Sequence, residues 1–196
     1  MAFDIFQGIG IAVALGIRPF FPSLAAGLLA AAGAEIHFDH TSYSFLQDLP
    51  FIFAMAVLGS GLLIYEAGLF NDDLEKPTWA DALMTVAAAV LGALFFGANL
   101  AREGHPAWPG WIGGVICVLI GVMASRPFLA RLRSRLDAEA ATVGIPLIAE
   151  GSALLVAILS VVAPPVGVIA LIAALVLIFR GRDRDDAKYA GLRILR

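Results

Sequence analysis

Residues 16–22 read Gly16-Ile17-Arg18-Pro19-Phe20-Phe21-Pro22 and interrupt an apolar run that extends from Phe3 to Gly33. The run is too long for one simple membrane crossing, which takes about 17–25 residues. Proline removes a backbone donor and pushes the residue before it out of helical geometry. The sequence therefore predicts either a broken or kinked helix at Arg18-Pro19 or a re-entrant hairpin that turns there.

The remainder of the chain is equally apolar. Hydrophobic residues make up 60% of the 196 residues and the mean hydropathy is +0.89, against roughly 45–50% apolar residues in an average soluble domain. Five more apolar stretches follow the first: Leu49 to Leu69, Trp79 to Leu100, Trp111 to Ser125, Val143 to Ala163 and Val166 to Phe179. We therefore predict an all-α fold, a polytopic transmembrane helical bundle of about six spans in one membrane domain, residues 1–196.

The positions of Lys and Arg set the expected orientation, because cytoplasmic flanks accumulate them. They concentrate in three places, leaving only Arg18 and Arg102 elsewhere: Lys76; Arg126, Arg131, Arg133 and Arg135; and Arg180, Arg182, Arg184, Lys188, Arg193 and Arg196. If the first segment crosses once, six crossings and two cytoplasmic termini follow, with residues 183–196 as a basic cytoplasmic tail. No removable signal peptide is recognised at the N-terminus. The expected location is the cytoplasmic (inner) membrane of a bacterium.

An internal repeat is indicated by two apolar segments that end in Arg-Pro-Phe, Gly10 to Phe20 and Ile116 to Phe128. Each is followed by two further apolar stretches, which predicts halves 1–103 and 104–182, each with three helices and a break at its Arg-Pro-Phe. With three crossings per half, the halves would be inverted relative to one another. Coincidence remains the alternative, and a hairpin in the first segment would remove the inverted symmetry.

Four ionisable residues are the main functional candidates, because a charge at membrane depth is costly and usually faces a cavity or a partner. They are Arg18, Glu66 and Glu150, with Arg126 as a fourth for which a position at the cytoplasmic surface is the alternative. We expect them to line an ion or solute pathway. The alternative is that the arginine pairs with a glutamate only to make burial tolerable. Secondary candidates are Pro19, Pro22, Asn99 and Asp81, of which the last two lie near segment ends and are expected to meet water or cap a helix.

The sequence has no recognisable motif for a catalytic, cofactor or metal site. No nucleophile elbow, phosphate-binding glycine loop or His-Glu-x-x-His helix is present, so we expect no enzyme activity and no cofactor. The single Cys117 excludes an intrachain disulfide framework. His37, Asp39 and His40 have metal-ligand types, but a solvated loop is the better interpretation and no metal is expected. The net charge of −3 gives no indication of a nucleic-acid partner.

Several short motifs resemble the bacterial membrane family named domain of unknown function 4126. They are Gly8-Ile9-Gly10 with Gly16 to Pro22, Glu66 with Asp72, Asp73 and Lys76-Pro77, Gly144-Ile145-Pro146 with Glu150, and the ending Lys188 to Arg196. In the family an acidic pair often follows the later Gly-x-Pro, whereas in this chain Glu150 is followed by Gly151. The resemblance implies a multi-spanning protein and supplies no substrate.

The function expected from these features is a small transporter or channel for an ion or small polar solute, with its path at the interface of the two halves. Two alternatives stay open: a scramblase or flippase that handles anionic lipid headgroups, and a non-transporting membrane scaffold whose ion pairs are structural. Membrane lipid is the expected partner, and a homodimer is a further expectation.

Overall fold

The computed structural model describes residues 2–68 and 79–192, with the side chains of 67–68, 138–140, 142 and 182–192 excepted. Within these ranges it is all-helical, without strands. The elements are α1 (Ala2–Ile17), α2 (Phe20–Ala31), one 3-10 turn (Ser44–Gln47), α3 (Leu49–Gly68), α4 (Trp79–Arg102), α5 (Trp108–Arg133), α6 (Ala138–Val162) and α7 (Pro165–Leu192). Each apolar stretch of the sequence corresponds to a helix, except that the first forms two. Lys76, Asp72, Asp73 and residues 193–196 lie outside the described residues.

In the part of the chain that the structure describes, four helices are long and apolar enough to cross a membrane. They are α3 to α6, in the spans Leu49–Glu66, Trp79–Arg102, Trp108–Arg133 and Val143–Val162. The outer faces of the bundle carry large apolar side chains, such as Leu49 at 80% and Phe53 at 70% exposure. A soluble protein rarely exposes apolar surface so extensively. These helices therefore indicate a membrane protein, as the composition predicts.

The first apolar run breaks where the sequence predicts a break. Helix α1 ends at Ile17 and α2 begins at Phe20. Pro22 falls in the first turn of α2, where a residue without an amide hydrogen leaves no helical hydrogen bond unmade. Ser23 Oγ donates a hydrogen bond to Pro19 O at 2.7 Å, which closes the turn.

The second Arg-Pro-Phe segment does not break its helix, so the break predicted at Arg126 is wrong. Helix α5 continues from Trp108 to Arg133 with Pro127 in its interior. One proline removes a single backbone donor, which a helix packed along its length can tolerate. In the first segment, by contrast, Pro22 follows Pro19 within one turn.

Helices α1 and α2 form a hairpin whose two outer ends lie together. The Arg102 guanidinium, at the end of α4, pairs with the carboxylate of Asp4 in the first turn of α1. It also donates through Nη1 to Glu35 O at 2.9 Å, just after the end of α2. The start of α1 and the end of α2 therefore share one end of the bundle, called here the base of the hairpin. Its tip is Arg18-Pro19.

The directions of α1 and α5 do not match the predicted inverted repeat. Asp4 and Gly8 of α1 lie against Arg102 and Phe96 of α4, so these two helices are antiparallel. Helix α5 returns along α4 after the short connection 103–107. The two Arg-Pro-Phe segments, on α1 and α5, therefore run in the same direction, whereas an inverted repeat requires opposite directions. Neither the six crossings nor the repeat is confirmed.

Helix α1 is the centre of the bundle and packs against α4, α5, α6 and α7. Glycine allows the closest approach: a Cβ on Gly16 would lie against Val118 O and 2.9 Å from Gly121 Cα of α5. Backbone contact of this kind is how small residues join helices in membranes. The packing holds α1 rigidly, which fixes the position of the hairpin tip at its end.

The connection between α2 and α3 folds back onto the bundle. Phe38 is fully buried and packs edge-on against Phe95, with ring centroids 6.1 Å apart. His37, Asp39 and His40 point away from this apolar anchor and are exposed. They therefore form the solvated loop that the sequence analysis favours.

Candidate functional site

Arg18 lies at the tip of the hairpin and is bound by Glu66 from α3. Its Nη1 and Nη2 donate to the two carboxylate oxygens of Glu66 at 2.6 and 2.9 Å. This two-point geometry is the strongest form of a guanidinium–carboxylate pair. The side chains of Arg18 and Glu66 are 16% and 25% exposed, so the pair is largely shielded.

Glu150, on α6, approaches the same guanidinium from the other side. Its Oε1 lies 3.9 Å from Arg18 Nε, an ion-pair distance that is too long for a hydrogen bond. The residue is only 6% exposed, and neither carboxyl oxygen has a hydrogen-bond partner among the described residues. Buried polar atoms are normally satisfied, so an exception of this kind requires an explanation.

The three residues Arg18, Glu66 and Glu150 are called here the tip cluster. One guanidinium faces two carboxyl groups, so the cluster carries a net charge of −1 when all three are ionised. Glu66 uses the guanidinium in both of its hydrogen bonds, and Glu150 receives none. Since a buried charge without such compensation is costly, the unbalanced charge falls on Glu150.

Arg126 does not join the tip cluster. Its Nη2 donates to Thr85 Oγ1 at 2.8 Å and to Asp81 O at 3.3 Å, and the residue is exposed. Asp81 takes part through its backbone oxygen. These contacts tie α5 to α4 at the surface of the bundle.

The secondary candidates divide between the turn and the core. Pro19 and Pro22 shape the turn that presents Arg18, and both are buried. Asn99 is fully buried inside α4, which contradicts the expectation that it meets water or caps a helix. Its Nδ2 donates to Phe95 O at 3.0 Å, while Oδ1 has no partner among the described residues.

A second charged cluster at the base of the hairpin was missed from the sequence. Asp4 and Arg102 pair while only 7% and 12% exposed, and Gln7 Nε2 donates to Val161 O at 3.0 Å. They border a half-open cavity of about 320 Å³. Asp4 and Gln7 are three residues apart and so share one face of a helix, which was the available signal.

The interior of α1 separates the base from the tip. All residues from Ile11 to Leu15 are buried, at 0 to 2% exposure. The two clusters are about 20 Å apart along the axis, since 14 helical residues rise about 1.5 Å each. Within the described residues, then, no polar path along α1 connects the two ends.

The described residues contain no group of three or more His, Cys, Asp or Glu side chains that could hold a metal ion. Comparison with protein-family models, curated proteins and solved structures gave no match for this chain. Membership of the family named in the sequence analysis therefore stays a prediction.

Proposed function

We propose that this protein is a membrane carrier for an ion or small polar solute, and that Arg18, Glu66 and Glu150 form its working site. The observation that supports this most directly is the incomplete charge compensation of the tip cluster. A purely structural ion pair needs one acid for one base, and Glu66 already provides it. Glu150 adds a second acid that receives no hydrogen bond, as a site awaiting a positive partner would.

The length of the hairpin supports a position inside the membrane. Helix α1 has 16 residues and rises about 24 Å, which is less than the roughly 30 Å of a hydrocarbon core. A hairpin of this length that enters from one surface ends before the other. Irregular backbone at such depth is tolerated where protein surrounds it or where it lines a cavity.

We also propose a revised topology, with five crossings by α3 to α7 and one re-entrant hairpin. The basic residues of α5 and α7 then mark the cytoplasmic side, and the N-terminus lies on the opposite side. This replaces the expectation of two cytoplasmic termini, which depended on a single crossing by the first segment. The cytoplasmic membrane of a bacterium remains the proposed location.

The buried apolar stretch of α1 favours a carrier over an open channel. Fully buried apolar residues separate the two charged clusters along α1. Solute movement therefore requires a rearrangement of the helices around the tip, as in carriers that alternate around a fixed site. Lipid scrambling is less well supported, because Glu66 already neutralises the guanidinium that an anionic headgroup would need.

Flux through reconstituted liposomes tests the proposal. The probes are K⁺, Na⁺, protons and small neutral solutes, read with indicator dyes and by osmotic swelling. We expect protein-dependent flux of at least one probe, with loss of that flux in Glu66→Gln and in Glu150→Gln. Glu103→Gln is the matched control, because Glu103 is an exposed acid at the other end of the bundle. Unchanged flux in both tip variants would remove the proposed role of the site.

A further inference from the structure

We propose that Glu150 carries a proton in the closed state, and that Arg18 moves from Glu66 towards Glu150 when this proton leaves. The inference rests on the proposed transport function and deepens it by naming the proton as the ion that the site handles. Three features support it: Glu150 is enclosed, few oxygen atoms are free to bind a metal cation there, and Arg18 lies between two acids.

The charged groups that face Glu150 come from two helices. Arg18 approaches from the end of α1 and Glu66 from α3. Helix α2, which also packs on α6, has no ionisable residue. On α5, Arg126 turns towards α4, and Arg131 reaches Gly181 of α7. Among the described side chains, Arg18 is the cation that lies within ion-pair distance of Glu150, and it is shared with Glu66.

A proton fits this environment better than a metal cation. Alkaline-earth cations bind several oxygen ligands, and even Mg²⁺ requires six in near-octahedral geometry. Here the two oxygens of Glu150 are enclosed, and both oxygens of Glu66 accept from Arg18. A proton needs one oxygen and no cavity. A neutral carboxyl group without a hydrogen bond also costs less to bury than a carboxylate in the same place.

Loss of the proton makes Glu150 a second carboxylate that attracts Arg18. The O–H bond of Glu150 breaks, its electron pair stays on the carboxyl oxygen, and the proton passes to a water molecule that reaches the tip. Two carboxylates then compete for one guanidinium. Arg18 Nε already lies 3.9 Å from Glu150 Oε1, so a movement of about 1 Å makes a hydrogen bond of ordinary length. That movement weakens the two-point contact with Glu66.

Infrared spectroscopy of the protein in liposomes tests the proton directly. We expect the wild type to show the carbonyl band of a buried protonated carboxyl group at neutral pH. The band disappears in Glu150→Gln and persists in Glu103→Gln. In Glu66→Gln, Arg18 turns to Glu150, so the band is lost at neutral pH and returns at the same frequency on acidification. In Glu150→Gln acidification does not restore it.

Two results would overturn the inference. One is a wild type without this band at neutral pH, and the other is a band that Glu150→Gln leaves unchanged. The spectroscopic result is independent of the flux result. A band without any flux would reject the transport function and leave the protonated Glu150 in place, whereas flux that depends on Glu150 without a band would reject the proton alone.

Discussion

Removing the carboxylate of Glu66 should destabilise the protein more than removing that of Glu150, although Glu150 is the more deeply buried acid. Glu66→Gln takes both charge-assisted hydrogen bonds from Arg18 and leaves its shielded guanidinium without that partner. An arginine at the centre of a transmembrane helix costs about 3 kcal/mol, and breaking a buried pair on one side costs about 3–5 kcal/mol. Because the pair is partly exposed and Glu150 can take over from 3.9 Å, we expect a loss of about 2 kcal/mol.

The same reasoning predicts that the stability costs of Glu66→Gln and Glu150→Gln are not additive. Glu150→Gln removes no hydrogen bond and replaces a neutral carboxyl group by a neutral amide, so its cost should stay within about 0.5 kcal/mol. In the double variant no acid of the tip cluster remains for Arg18, and the cost should reach about 4 kcal/mol. The coupling between the two substitutions is then about 1.5 kcal/mol, within the range of residues that share a partner.

Reversible unfolding in mixed micelles, followed by far-UV circular dichroism as the fraction of denaturing detergent rises, measures the three variants against the wild type. Glu103→Gln controls for the loss of an acid elsewhere. Additive costs would show that Glu150 does not stand in for Glu66 beside Arg18. A Glu150→Gln variant less stable than Glu66→Gln would refute the assignment of the guanidinium to Glu66.

Two further predictions concern packing and the base of the hairpin, and the same unfolding assay measures both. Gly16→Ala should destabilise by about 1–3 kcal/mol, because the added methyl group meets the α5 backbone. Gly151→Ala, where nothing lies within 4 Å of the added carbon, should be neutral or stabilising by up to about 1 kcal/mol, and equal effects at both sites would contradict the close packing of α1. Arg102→Gln should cost about 3 kcal/mol, because it removes the guanidinium from buried Asp4 and from the end of α2. Arg126→Gln, at an exposed position, should stay within about 0.5 kcal/mol, and a larger effect there than at Arg102 would argue against the hairpin base as a structural tie.

The helices and the first break could be predicted from the sequence because their causes are local. Apolar runs of membrane length form helices wherever backbone groups must satisfy one another. Helix α4 begins at Trp79, as predicted, and α5 begins at Trp108, three residues before the predicted start at Trp111. Pro19 and Pro22 act on their own turn, so the break needs no knowledge of distant residues.

The return of the chain at this break could not be predicted, because distant contacts determine it. A broken helix can continue across the membrane or turn back, and the prolines do not distinguish the two outcomes. Arg102 selects the hairpin by holding Asp4 and Glu35 together, 98 and 67 residues away along the chain. The second Arg-Pro-Phe segment was mistaken for a break since its sequence matches, although its single proline lacks the support of a second one.

The candidate site could be predicted in part, again from a local signal in the sequence. Charged residues within apolar runs identify Arg18, Glu66 and Glu150 one by one, and the structure brings these three together. Their role in transport stays a prediction. Arg126 follows the end of a predicted apolar stretch, and it lies at the surface against Thr85, in agreement with the alternative of a surface position.

The two ends of the hairpin differ in what they connect, and this difference indicates which part can move. Helix α1 is packed against four helices, and glycine contacts with α5 hold it in place. Helix α3 contacts mainly α2 and α6, and only 11% of its membrane window is buried, against 50% for α4. Arg18–Glu66 therefore joins a rigid centre to the most weakly enclosed of the four long spans. If Arg18 turns from Glu66 to Glu150, its stronger ion pair joins the end of α1 to α6. Helix α3 then loses its two-point attachment to Arg18. Opening at the tip would then move α3 and leave α1 fixed, while Arg102 keeps the base of the hairpin closed.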